Sequence, residues 1–123
     1  GTNYPPTMTA DDAPSPYVAT SSGHYNSTSY ENWKAFDSST VSGWWNLAQG
    51  ATYSNWYIQI DFGSSSSVAI NSAKIIINPS YQGGTLGQTY TLAGSDTGAF
   101  TGEQITMGSF TGSISGTGEI LIN

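Results

Sequence analysis

Several planar side chains lie between the apolar runs of this 123-residue chain, and their types are those that bind sugars. Saccharides present apolar C–H faces to aromatic rings, and their hydroxyls pair with imidazole and amide groups. The residues of this set are His24, Tyr25, Trp45, Asn46, Tyr53, Asn78 and Tyr81. We predict a carbohydrate site where the fold brings these loops together, although His24 also suits the role of a solvated loop residue.

A second candidate is the turn from Ala35 to Ser42, which is rich in oxygen atoms. It contains the Asp37 carboxylate and hydroxyl groups at Ser38, Ser39, Thr40 and Ser42. Hard cations such as Ca²⁺ bind about six to eight oxygens from carboxylates, carbonyls and hydroxyls. The same residues also suit a tight turn in which Asp37 accepts backbone N–H groups. The residue types alone leave both interpretations open.

The acidic residues and the single histidine do not form a catalytic pattern. A glycosidase needs two placed carboxylates, and a nucleophilic hydrolase needs a base near its serine. His24 has no acidic neighbour in sequence, and the carboxylates are scattered over the N-terminal segment, a strand end and turns. We therefore predict that the chain is not an enzyme.

The charge of the chain argues against two classes of partner. Lys34 and Lys74 are its only basic residues, and its formal net charge is -6. Nucleic-acid binding needs several cations that displace phosphate counterions, and anionic lipids attract basic residues near the surface. No apolar run approaches the roughly 20 residues that span a bilayer. We expect no nucleic-acid binding and no membrane insertion, and the Ser-, Thr- and Gly-rich composition is typical of extracellular or virion surfaces.

The apolar pattern predicts an all-β domain over residues 17–123, preceded by a proline-rich lead-in or linker over residues 1–16. Residues 57–62 alternate polar and apolar, which is the two-residue period of a half-buried strand. Other predicted strands cover 18–22, 68–78 with an interruption near 71–72, 89–94, 105–110 and 119–122, and one helical turn falls within 29–36. Short strands separated by glycine turns favour an antiparallel β-sandwich or jelly roll.

Four motifs occur in a fixed order within residues 8–122. They are Ala-Phe-Asp at 35–37, Ser-Gly-Trp at 42–44, Ile-Gln-Ile-Asp-Phe-Gly at 58–63 and Gly-Ser-Asp-Thr-Gly at 94–98. Together they resemble the coagulation-factor type C (discoidin) family, which includes galactose-binding-like carbohydrate-binding modules. The resemblance implies a jelly-roll β-sandwich that is incomplete at its C-terminus, because family members continue into two further strands. We expect another polypeptide, or further residues of this one, to complete it.

The resemblance also implies roles for particular residues. It implies a structural Ca²⁺ bound by the Asp37 carboxylate and the carbonyls of Ala35, Ser39 and Ser42, with Ser38 standing where the family has glycine. It implies that His24 and Tyr25 meet Trp45, Asn46 and Tyr81 at one pole of the sandwich. It further implies core packing for Trp33, Phe36, Trp44 and Tyr57.

Two functions follow as hypotheses. The first is a non-catalytic, lectin-like module that tethers a larger extracellular or virion-associated protein to glycans. The alternative is a structural domain of a surface assembly, such as a phage capsid decoration, a tail fibre or an extracellular filament, that binds other copies or other chains rather than sugar. Aromatic loop residues without a catalytic pair favour the first hypothesis. The proline-rich segment and the expected strand exchange favour the second.

Overall fold

The computed structural model describes residues 2–25, 29–39, 57–64, 67–76, 89–111 and 117–121, with residues 76, 110, 111 and 117–121 described by their backbone alone. Within these ranges the chain has six strands and one short 3-10 helix. Every strand pair is antiparallel, in three two-stranded sheets. The predicted all-β class is confirmed, while the sandwich arrangement stays a prediction. The same ranges contain no helix long and apolar enough to cross a membrane.

The chain divides into two compact units, Gly1–Val68 and Ala69–Asn123. In the first unit, β1 (Val18–Ser21) pairs with β2 (Ile58–Asp61), so that Ala19 lies opposite Ile60. Ala19 is only 1% exposed, whereas its neighbours Val18 and Thr20 are exposed. The inner face of this ribbon is therefore apolar, as a two-residue period requires.

The alternation of β2 also determines the position of Tyr57, which precedes the strand. Tyr57 is 50% exposed, and by the strand period it belongs to the same outer face as Gln59 and Asp61. The core position that the family resemblance implies for Tyr57 is therefore wrong. The alternating pattern of residues 57–62 predicts the exposed position correctly, because side-chain direction in a strand follows from the backbone pleat.

The proline-rich segment, expected as a lead-in or linker, belongs to the first unit and is hydrogen-bonded to the rest of it. Met8 is 1% exposed and donates its N–H to the carbonyl of Phe36 at 3.0 Å. Ala19 donates its N–H to the carbonyl of Asp11 at 2.7 Å. Prolines lower the conformational entropy that a segment loses on docking, because their φ is already restricted.

Aromatic contacts join this segment, and Tyr17 directly after it, to Phe62, which follows β2. The ring of Phe62 meets Tyr4 and Tyr17 edge to face, with centroid distances of 6.3 and 6.1 Å. Pro16 lies close to Gly63, where a Cβ atom would be only 2.7 Å from the Pro16 Cβ. Only a residue without a side chain fits against Pro16 at this position.

The 3-10 helix Asn32–Phe36 lies within the predicted helical turn. Its preceding residue, Glu31, makes no side-chain cap. The N–H of Trp33 instead donates to the Asp11 carboxylate at 2.8 Å. Because the first N–H groups of a helix lack partners within the helix, Asp11 stabilises the start of this one from a distant part of the sequence.

In the second unit, β3 (Ser72–Ile76) pairs with β6 (Thr117–Leu121), and β4 (Thr89–Gly94) pairs with β5 (Ile105–Thr111). The bounds of β4 are those predicted, and β3 begins where the interruption was expected. Register shifts between Leu92 and Ala93, because Leu92 faces Gly108 but Ala93 faces Thr106. Met107 is the additional residue of this β-bulge.

Candidate functional site

Two tyrosines form the aromatic surface of the loop that follows β1. The ring centroids of Tyr25 and Tyr30 are 6.0 Å apart and the rings are inclined by 42°. Tyr25 is 38% exposed, and its neighbour His24 is half-buried. Tyrosine rings at this separation offer an apolar surface with polar phenol groups at its edge, which suits the mixed faces of a sugar.

Hydrogen bonds join the two ends of this loop, which runs from residue 22 to residue 31 and whose residues 26–28 lie outside the described ranges. Ser21, the last residue of β1, donates its hydroxyl to Oδ1 of Asn32, the first residue of the helix, at 2.6 Å. The Ser21 oxygen also accepts the N–H of Gly23 at 3.0 Å. Compact loops whose ends lie close together hold their side chains in place and often carry function.

Asp11, in the proline-rich segment, is hydrogen-bonded to Asn32 and Trp33 at the start of the helix. Its Oδ2 atom accepts Nδ2–H of Asn32 at 3.1 Å, and its Oδ1 atom accepts the N–H of Trp33 at 2.8 Å. The side chains of Ser21, Asn32 and Asp11 thus form a chain of hydrogen bonds, which we call the Asp11 network. It joins three segments that are separate in sequence.

A charged cluster also lies at the start of the helix. Glu31 accepts the indole N–H of Trp33 at 3.0 Å, and its second oxygen is 3.7 Å from the Lys34 ammonium. Lys34 also donates to the carbonyl of Ser29 at 3.1 Å and lies 5.4 Å from the centre of the Trp33 ring. Lys34 is the only Lys or Arg in Gly1–Val68. Its positive charge interacts with the Glu31 carboxylate and the Trp33 ring of the same chain.

The oxygen-rich turn is closed by its own side chain. Oδ1 of Asp37 accepts the N–H of Ser39 at 2.8 Å. This is the hydrogen bond expected if Asp37 caps the turn. Ser38 has a φ of +62°, in the left-handed region that favours glycine, so the backbone takes the form expected of a glycine even though serine is present. The Ser38 hydroxyl is 3.1 Å from that of Thr7.

The predicted calcium site is described only in part. Ala35, Asp37 and Ser39 are described, whereas Ser42 lies outside the described residues. In the portion of the chain that the structure covers, no group of three or more His, Cys, Asp or Glu side chains could hold a metal. A site with Asp37 as its one carboxylate would depend on carbonyl and hydroxyl oxygens, so calcium binding stays a prediction.

Most of the predicted sugar-binding residues also lie outside the described ranges. These are Trp45, Asn46, Tyr53, Asn78 and Tyr81. The structure places His24 and Tyr25 in one loop and adds Tyr30, which the sequence analysis missed because it falls in the stretch assigned to a helical turn. A useful signal was present, because Tyr25 and Tyr30 are the aromatic residues at either end of the polar stretch 26–29.

A separate polar cluster holds the loop between β4 and β5. Oε1 of Glu103 accepts the hydroxyls of Ser95 at 2.5 Å and Thr97 at 2.6 Å, and the N–H of Phe100 at 3.1 Å. The hydrogen bond from Ser95, followed by that from Thr97, lowers the pKa of Glu103, because both favour the ionised form. The arrangement organises the loop backbone.

Comparison of the chain with protein-family models, with curated proteins and with solved structures gave no match in any of the three. The likeness to the discoidin family rests on the short motifs alone, and the function has to be inferred from the chemistry of the described residues.

Proposed function

We propose that the chain is a non-catalytic carbohydrate-binding module and that the loop 22–31 forms part of its sugar site. The observation that supports this is the pair of adjacent rings of Tyr25 and Tyr30, beside His24, on a loop whose ends are hydrogen-bonded together. A loop held in its binding conformation loses less conformational entropy when a ligand binds. Flat apolar area and nearby polar groups are the requirements of sugar recognition.

Charge suggests which sugars suit the site. The first unit carries carboxylates at Asp11, Asp12, Glu31, Asp37 and Asp61. Its one basic side chain, Lys34, is paired with Glu31. An anionic ligand would meet net repulsion, so we propose neutral glycans as the ligand class.

The biological role follows from the expected weakness of a single small site. A module with one shallow aromatic surface gains useful avidity when several copies act together on a repeated glycan. We therefore propose that it tethers a larger extracellular or virion-associated protein to a glycan surface, with additional contacts from Trp45, Asn46, Tyr53, Asn78 and Tyr81.

The test is calorimetric titration with neutral oligosaccharides chosen from a glycan array. Tyr25→Ala and Tyr30→Ala should each weaken binding by a factor of about 2 to 13, the equivalent of an aromatic contact worth about 0.5–1.5 kcal/mol. Tyr57→Ala is the matched control, because Tyr57 is exposed on a sheet face outside the loop. Trp45→Ala and Tyr81→Ala test the predicted convergence of the other loops.

Two results would reject the proposal. One is the absence of binding to any sugar on the array. The other is sugar binding that Tyr25→Ala and Tyr30→Ala leave unchanged, since the loop 22–31 would then have no part in it.

The alternative function, a building block of a surface assembly, is supported by a different observation. Val18 and Tyr57 are 38% and 50% exposed on the outer face of the β1–β2 ribbon, and Ile105 is 70% exposed at the start of β5. Apolar side chains of this size favour protein contacts when they are covered. Sedimentation velocity over a range of concentrations would reveal self-association, and Tyr57→Ser should weaken it if this face is the contact.

A further inference from the structure

We propose that Asp11 and Asn32 are positioning residues for the Tyr25–Tyr30 pair, and that the proline-rich segment contributes to the binding site by supplying Asp11. This inference rests on the proposed function. Neither side chain is aromatic, and the polar groups of both are hydrogen-bonded within the protein. Their part is to hold the two ends of the loop 22–31 at a set distance.

The orientation of the Asn32 amide is determined by its partners. Its Oδ1 atom accepts the Ser21 hydroxyl at 2.6 Å, and its Nδ2 group donates to the Asp11 carboxylate at 3.1 Å. A reversed amide would direct its oxygen at the carboxylate, and two acceptors repel each other. Both ends of the amide are therefore used, and the side chain has one favourable orientation.

This orientation controls the separation of the tyrosines. Tyr25 follows Ser21 by four positions, and Tyr30 precedes Asn32 by two. Because Ser21 and Asn32 are joined directly, the chain between them is a closed loop, and closing it has an entropic cost that the hydrogen bonds offset. If those bonds are lost, the ends can separate and the rings need not stay 6.0 Å apart.

Asp11 is itself held in place by backbone contacts. Its carbonyl accepts the N–H of Ala19 in β1, and the nearby Met8 is buried and bonded to the carbonyl of Phe36 at the end of the helix. The carboxylate is thus anchored to both elements that flank the loop. Loss of the Asp11 carboxylate would therefore remove two acceptors at once, that of the Asn32 Nδ2 group and that of the Trp33 backbone N–H.

An exchange of the two side chains provides a sharp test. Asp11→Asn leaves two amide donors facing each other, and Asn32→Asp leaves two carboxylates facing each other. In the double variant D11N/N32D the new amide at position 11 accepts from Trp33 and donates to the new carboxylate at position 32. That carboxylate also accepts the Ser21 hydroxyl, so all three hydrogen bonds have a donor and an acceptor again.

Each single variant should weaken binding of the neutral oligosaccharide by about fivefold or more, the effect of one lost hydrogen bond or one unpaired polar group. The double variant should return to within about twofold of the original chain, because its network is complete. Asp12→Asn is the control, since Asp12 is exposed and next to Asp11 and its substitution removes one negative charge without touching the network.

A second measurement, by NMR on the protein alone, tests the position of the rings without any glycan. Nuclear Overhauser contacts between the rings of Tyr25 and Tyr30 should weaken in both single variants and return in D11N/N32D. Ring contacts or affinities that the single variants leave unchanged would overturn the inference, and so would a double variant as impaired as the single ones. If the original chain binds no sugar, the proposed function fails, and the ring contacts still decide whether the Asp11 network positions the pair.

Discussion

Glu103 accepts a hydrogen bond of 2.5 Å from the hydroxyl of Ser95, which lies at the other end of the β4–β5 loop. The same Glu103 oxygen accepts from Thr97 and from the backbone of Phe100. Phe100 has a φ of +49°, which is uncommon for a bulky residue. One carboxylate therefore stabilises a loop that contains a residue in an unfavourable backbone conformation.

This arrangement predicts a stability that depends on pH. The pKa of Glu103 is lower in the folded chain than its ordinary value of 4.5, so ionisation favours folding above that value and the contribution is lost as pH falls through the folded pKa. We expect Glu103→Gln to lower the melting temperature by more at pH 7 than at about pH 3. Thermal unfolding followed by circular dichroism at several pH values measures this.

Asp96→Asn serves as the control, because Asp96 is an exposed carboxylate of the same loop. An equal difference between Glu103→Gln and the original chain at pH 7 and pH 3 would contradict the prediction. It would mean that the ionised carboxylate makes no contribution of its own.

Gly63 should not tolerate a side chain. Its φ is +90°, and an added Cβ would lie 2.7 Å from the Pro16 Cβ. Gly63→Ala combines backbone strain of about 1–2 kcal/mol with overpacking of about 1–3 kcal/mol. Chemical denaturation should therefore show a fall in the free energy of unfolding of about 2 kcal/mol or more.

Gly98→Ala separates the two causes. Gly98 has a φ of +76°, but an added Cβ would meet nothing within 4 Å, so only the strain of about 1–2 kcal/mol applies. If Gly63→Ala costs no more than Gly98→Ala, the proline-rich segment is not seated against Gly63 in solution.

Asp37 has two predicted roles, capping the turn through the Ser39 N–H and binding calcium, and substitutions can separate them. Asp37→Asn keeps a side-chain oxygen that can accept the N–H of Ser39 but removes the charge that a cation needs. If calcium binds, the melting temperature of the original chain should rise with millimolar Ca²⁺ relative to chelator, because a ligand of the folded state stabilises it. Asp37→Asn should abolish that rise and leave the melting temperature in chelator nearly unchanged.

Asp37→Ala tests the contribution of the turn cap to stability. This variant also removes the Asp37 oxygen that accepts the Ser39 N–H, and it should lower stability by about 0.5–2 kcal/mol in chelator. The calcium proposal fails if Ca²⁺ does not change the melting temperature of the original chain.

Neutral glycans should bind better than anionic ones of the same length. The first unit has five carboxylates and one lysine, so uronate-containing or sulfated oligosaccharides are repelled at low ionic strength. The difference should narrow with salt, since the screening length falls from about 10 Å at 0.1 M to about 3 Å at 1 M. Tighter binding of the anionic series in calorimetric titrations at low salt would contradict this.

The strands were predictable because their signals are local. Thr89–Gly94 and Ile58–Asp61 lie where alternation and bounding turn residues place them, and the outward position of Tyr57 follows from the same period. The family resemblance misplaced Tyr57, since a short motif match says which residues align but not how far each is covered. Residues 2–16 were harder, because prolines indicate an extended segment without indicating what it packs against.

The candidate site was predictable only in part. His24 and Tyr25 were selected for residue type and loop position, and the structure sets Tyr25 beside Tyr30. Tyr30 was missed because its stretch has the spacing of a helical turn, which describes the backbone but not a contact across a loop. Asp37 was selected with two possible roles, and the structure shows its bond to the Ser39 N–H.

The amino-acid sequence by itself determined the all-β class, the positions of the strands and the acidic charge, because these depend on residue types and on spacings of a few positions. Only the tertiary structure decided that Asp11, Ser21 and Asn32 share one network and that this network closes the loop with the tyrosine pair. The physical reason is that these hydrogen bonds join residues ten or more positions apart, where no local period constrains their distance, and they form only when β1, the helix and the proline-rich segment are packed together.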